Sequence, residues 1–292
     1  MMRNRCIKSS MIISLLFLCL PILSSYADQS KQRFKLAILP CNTVEITFKK
    51  FHPLVNHLQQ ITGFDIDIVV PTDTAEFERA IKNSTIDCAL QDPHLYLQYA
   101  NVYNKRMLLR AVNLDGTIIQ SGVVIVRSDS TIRNMKDLKG KSVMFGPTLS
   151  APKWIAARWL FEERDINIDK DLKAYSNGKS CEDIAFNVYL KAVDAGVVCD
   201  HSLKGNLDEY QELGMDIKQL HAIAETKPVP TRIFAARQEL NNDVVSKLYQ
   251  ALLSLNINNP EQAHMLNEAE LGGFQKSKDE DYDALRIQLG VK

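Results

Sequence analysis

From Phe34 to Leu39 the run FKLAIL is apolar at all positions but one and stops at Pro40, which predicts a buried strand. Phe48, Phe51, Val55 and Leu58 then recur at helical spacing as far as Gly63, with Pro53 expected in the early part of that helix, where its missing N–H does least harm. A second strand is predicted over Ile66 to Val70, a short helix over Ala75 to Lys82, and a third strand over Ile86 to Leu90, carrying Cys88. Repeated β-α-β units of this length predict an α/β fold: mostly parallel sheets flanked by helices.

Between Val112 and Val126 the pattern changes to VNLDGTIIQSGVVIV, a β-prone run with no room for a helix. It reads as the chain crossing into a second lobe, and LHAIAETKPVPTRIFAAR, from Leu220 to Arg237, reads as the return. The expected division is 28–118 plus 228–292 for the first lobe and 119–227 for the second, with 241–292 mainly helical. Ligands of open α/β sheets lie beyond the carboxyl ends of the strands. The loops after Leu39, Leu90, Phe145 and Cys199 are therefore expected to face a cleft between the lobes.

Within the second lobe, KSVMFGPTLSAPK (Lys141 to Lys153) runs from an apolar strand into the hydroxyls of Thr148 and Ser150 where a helix begins. Ser150 suits the N-cap, Pro152 suits the first turn, and Ile155, Trp159 and Leu160 give the helix an apolar face. The unpaired N–H groups of such a turn, starting at Ala151, favour an anionic oxygen. The plain alternative is a cap that ends a helix and binds nothing.

Arg3, Arg5 and Lys8, an apolar run from Met11 to Leu23 and small residues at Ser25 and Ala27 read as a cleavable secretory signal peptide over 1–27. That predicts an exported, periplasmic chain of 265 residues (292 less 27). The 35 basic and 35 acidic residues then become 32 and 35, a net charge of −3 with no field for nucleic acid or anionic membrane. Cys41, Cys88, Cys181 and Cys199 remain in an oxidising compartment. Cys41 follows the first strand, Cys181 opens a helix leading away from the cleft and Cys199 ends the strand leading back, so a Cys181–Cys199 disulfide is expected; Cys88 reads as core. His94, His201 and His221 show no paired spacing with the cysteines, which argues against zinc.

No Gly-x-Ser-x-Gly elbow surrounds Ser150, and Gly140-Lys141-Ser142 lacks the earlier glycine of a phosphate-binding loop. Neither an enzyme nor a cofactor is expected. Seven segments instead resemble the periplasmic phosphate, phosphite and phosphonate solute-binding proteins of ABC transporters. They are LAILP at Leu36, ITG at Ile61, IDCALQDP at Ile86, LKGKSVMFG at Leu138, VDAGVV at Val193, IAETKPVP at Ile223 and GGFQKSKDEDYDAL at Gly272. The resemblance implies a two-lobed, type 2 binding-protein fold that closes on a small anionic solute and, as a monomer, delivers it to an ABC permease.

Carried over residue by residue, the family's anion-gripping Ser-Thr-Ser falls on Thr148, Leu149 and Ser150, losing the middle hydroxyl. Ligand-facing tyrosines fall near Thr74 and Gln91, a histidine on Cys181, and an acid near Asp200 or His201. The acid that holds an aminophosphonate's ammonium falls near Arg232, which disfavours an amine-bearing ligand and suits an oxyanion. The same resemblance admits a sensory protein that signals to a membrane histidine kinase, reading a species such as arsenite through its thiols.

Overall fold

The computed structural model describes residues 32–40, 43–148, 150–205 and 207–291. The expected signal peptide, Cys41 and Leu149 lie outside the described residues. Among the described residues, thirteen strands follow in chain order: β1 Arg33–Ile38, β2 Asp65–Val69, β3 Cys88–Gln91, β4 Tyr103–Val112, β5 Ile119–Gln120, β6 Gly122–Arg127, β7 Ser142–Phe145, β8 Ala174–Asn177, β9 Ala195–Cys199, β10 Leu220–Glu225, β11 Val229–Pro230, β12 Ile233–Arg237 and β13 Gly273–Ser277. They form a six-stranded sheet, β13-β4-β12-β3-β1-β2, and a five-stranded sheet, β10-β6-β9-β7-β8. Between these in sequence, β5 pairs with β11 as a two-stranded ribbon, Gln120 opposite Val229.

Both sheets are mixed rather than mostly parallel. Among the described residues, parallel pairing is confined to β1–β2, β1–β3, β7–β8 and β7–β9. The strands that leave and re-enter each sheet through the ribbon arrive reversed, so β12 pairs antiparallel with β3 and β4, and β6 with β9 and β10. Such pairing needs no crossover helix, and a pattern of strand-helix-strand units does not reveal it. Within 241–292, β13 was not expected; GFQKS has no β-branched residue, and its pairing with β4 makes it an edge strand.

The helices that position the site are α1 Val44–Thr62, α2 Thr74–Lys82, α3 Pro93–Gln98, α4 Ala156–Glu163 and α5 Cys181–Tyr189. In α1, Phe51, Leu54, Val55 and Leu58 form the buried stripe, the Thr43 hydroxyl caps the Ile46 N–H at 3.3 Å, and Gly63 ends the helix at φ 72°. This helix starts before Phe48, which is exposed, so Pro53 lies in its interior rather than near its start. Period-2 alternation sends Cys88 and Leu90 into the core beneath α1, while Ala89 packs on the opposite face of the sheet with Tyr96, Tyr103 and Ile233.

Candidate functional site

Phe145, fully buried at the end of β7, delivers the chain to a turn closed by the Ser150 N–H on the Pro147 carbonyl at 2.8 Å. Ser150 then caps a π-helical turn, Ala151–Ile155, that continues into α4, and its carbonyl accepts from both Trp154 and Ile155 N–H at 3.1 Å. The first-turn donors can be accounted for one by one. Pro152 has none, and the Lys153 N–H goes to the Ser150 hydroxyl oxygen at 3.3 Å. The Ala151 N–H donates to the Asp92 carboxylate at 3.2 Å. Asp92 belongs to the first sheet's side, as N-cap of α3, yet it makes no side-chain cap bond there and is 6% exposed. The helix N-terminus therefore already holds an anionic oxygen, supplied by the chain itself.

Ser150, Lys153, Asp92, Cys181, His201 and Arg232 line one cavity of about 50 Å³. It adjoins a second, of about 340 Å³, with which it shares Gln120, His201, Arg232 and Glu270. Lys153 is 4% exposed. Its stem lies over Gly146, where an added Cβ would stand 2.5 Å from Lys153 Cβ, so a glycine before the turn is what admits a lysine here. The lining sets Asp92, Glu182 and Glu270 against Lys153 and Arg232, with His201 and Cys181 beside them. Glu270 is also held by Lys50 at 2.8 Å. Local dipoles and individual charges, rather than a net positive field, must do the selecting.

At the second helix start, Ser180 caps the Asp183 N–H at 3.1 Å and places Cys181 in the first turn of α5. The expected Cys181–Cys199 disulfide is not formed: both residues stand as thiols. The topology does bring them together, with the Cys199 N–H donating to Cys181 Sγ at 3.2 Å. The hydrogen bond with Cys199, against desolvation and aided by the charge of Lys153, lowers the Cys181 pKa. Desolvation acts to lower the pKa of His201, but its hydrogen bond to Asp200 and the charge of Cys181 outweigh this and raise it above the usual imidazole value.

Other expected positions lie elsewhere. Thr148 is exposed at the corner of the Pro147–Ser150 turn and does not line the cavity. Gln91, the last residue of β3, is fully buried within the fold rather than presented to the cavity. Thr74 opens α2 and is outside the lining. Asp92 and Lys153 were missed, the first because Asp-Pro is an ordinary helix start and the second because a lysine in a first turn is ordinarily solvated.

Gly122 opens β6, and an added Cβ would meet the Pro152 carbonyl oxygen at 2.3 Å. Two backbones cannot both keep their places, so Gly122→Ala is expected to cost about 2 kcal/mol by overpacking, read as a lower urea midpoint with an unchanged slope.

A profile of the family described as "ABC transporter, phosphonate, periplasmic substrate-binding protein" matches residues 36–282. The chain belongs to this family. The phosphonate-binding periplasmic protein of Escherichia coli strain K12 is 20% identical over 283 residues, covering 94% of this chain and 82% of the relative. Among solved structures, a binding-protein component of an ABC phosphonate transporter from Pseudomonas aeruginosa aligns with a TM-score of 0.77 at 18% identity, covering 89% of this chain and 86% of the other. PhnD1 of Prochlorococcus marinus MIT 9301, solved with methylphosphonate, aligns at 0.75 with 15% identity, covering 88% and 97%. At these identities the solved structures establish the fold, that of the type 2 periplasmic binding proteins, for this member of the phosphonate-binding family. Family members are substrate-binding components of transporters, and no helix among the described residues is long and apolar enough to cross a membrane.

Proposed function

We propose that this chain captures a small oxyanion of the phosphonate class in the cavity lined by Ser150, Lys153 and Arg232 and hands it to a membrane permease. The observation that carries the reading is the Ala151 N–H, which already binds a carboxylate oxygen at the start of α4. A ligand oxygen would take the place of Asp92, with the Ser150 hydroxyl and the Arg232 guanidinium as further donors. His201, whose pKa the contact with Asp200 raises, and Cys181 would flank it. The β5–β11 ribbon would act as the hinge between a lobe of 28–118 plus 228–292 and a lobe of 119–227, working as a monomer in the periplasm after loss of 1–27.

Calorimetric titration of the mature chain with methylphosphonate, phosphate, phosphite and sulfate tests this. Binding of at least one is expected, weakened roughly tenfold by Ser150→Ala and more by Arg232→Ala, since bonds to charged groups are worth about 1.5–3 kcal/mol. Absence of heat and of any thermal shift with all four anions would sink the reading.

A further inference from the structure

We propose that Cys181 and Cys199 are a redox-active dithiol inside the cavity, joined and parted by thiol–disulfide exchange. Four features of their placement carry this. They stand at the first turn of α5 and the last position of β9, so their backbones are fixed by separate elements. The Cys199 N–H points at Cys181 Sγ from 3.2 Å, which stabilises negative charge on that sulfur and brings the two residues together. The Ser202 hydroxyl holds the Cys199 carbonyl at 2.7 Å and keeps the end of β9 in place. Both residues are 7% exposed and what they expose is cavity wall, with the neighbouring 340 Å³ space as the approach.

Cys88 supplies the contrast within the same chain. It is fully buried in β3 among apolar side chains, lines neither cavity, and burial pushes its thiol upward. Cys181 is shifted the other way, by its contact with Cys199 and by the positive charge of Lys153. One buried cysteine is thus chemically silent and another is prepared as a nucleophile.

The exchange needs an oxidant of the disulfide class, a small-molecule disulfide or an oxidoreductase. The Cys181 thiolate attacks one sulfur of that disulfide, whose S–S bond breaks and expels a thiolate. Cys199 gives up its proton and attacks Cys181 Sγ in the resulting mixed disulfide, expelling the second thiolate. Two thiols of the protein lose two electrons and two protons, and one external disulfide becomes two thiols. Closing the bridge also removes the negative charge that Cys181 presents to His201, a group faced as well by Asp200 and Glu270.

The experiment is equilibration of the mature wild-type chain in graded mixtures of reduced and oxidised glutathione, followed by acid quenching, alkylation and peptide mass mapping. A linked Cys181–Cys199 peptide is expected to appear and disappear reversibly across the series, with Cys88 unmodified in the folded protein. In Cys181→Ser no bridge forms, and in Cys199→Ser a single glutathionyl group accumulates on Cys181. The His201 imidazole resonances, followed by NMR, are expected to titrate at lower pH in the bridged form than in the reduced form. Cysteines that stay free across the whole series, a bridge to Cys41 instead, or a link that native reduction cannot open would overturn the proposal. Identical His201 titrations in the two forms would do the same for the charge on Cys181.

Discussion

Replacing Asp92 with asparagine is expected to tighten methylphosphonate binding by roughly 10- to 100-fold, read by calorimetry at neutral pH. The carboxylate occupies the N–H that an incoming oxyanion needs, at 3.2 Å from the Ala151 nitrogen. A ligand oxygen drawn to the same donor would meet a like charge within a few ångströms, which costs about 4 kcal/mol at the effective dielectric of a protein site. Displacing the carboxylate also breaks one charge-assisted bond that draws α3 toward α4, worth about 1.5–3 kcal/mol, a cost that the asparagine variant partly escapes. Asparagine keeps the shape and an acceptor oxygen while removing the charge, so the balance tips toward the ligand. Arg232 and Lys153, whose charge Asp92 partly offsets in the lining, would also act on the ligand with less competition. If Asp92→Asn instead weakens binding, Asp92 is a partner of the ligand, as it would be for a protonated or cationic one, and the competitor role is wrong.

The part of this site that could be read in the sequence is the part fixed by local rules. A strand running into Ser-Ala-Pro predicts the cap and turn at Ser150, and a helix leading out with a strand leading back predicts that Cys181 and Cys199 meet. What was not legible depends on how side chains cross from one element to another. Asp92 has the sequence context of an N-cap and gives its oxygen to another helix. Gln91 is buried away from the cavity while its neighbour Asp92 lines it, because successive residues of an extended chain face opposite ways. Thr148 sits at the corner of a tight turn and faces solvent although it lies only two residues from Ser150. The mixed sheets had the same cause as these misses: antiparallel returns through the ribbon leave no mark on local periodicity, whereas α1, α2 and β9 fall within a few residues of where the hydrophobic pattern puts them.

Acid is expected to destabilise the fold by roughly 3 kcal/mol between pH 6.5 and pH 4 through His94 alone, beyond what the carboxylates contribute. This imidazole lies in α3, 4% exposed, with both ring nitrogens buried and without hydrogen-bond partners. Desolvation lowers its pKa from 6.5 to about 4 even though the nearby negative charges of Asp92 and Glu78 act to raise it. A base whose folded pKa is depressed favours the neutral form in the native state. Above pH 6.5 both states are neutral and nothing is lost. As the pH falls from 6.5 the unfolded chain takes up a proton that the folded chain refuses, and stability drops until about pH 4, below which both are charged. Asp194 and Asp279 are held below the usual carboxylate value of 3.8, so their contribution is lost in a lower window and does not mimic this one. Urea denaturation at pH 7, 5.5 and 4 separates the two. The wild type is expected to lose the full amount across the upper window, and His94→Leu, which cannot be protonated, to keep it. A difference between wild type and variant that stays constant with pH would show that His94 is protonated, or paired, in the folded chain.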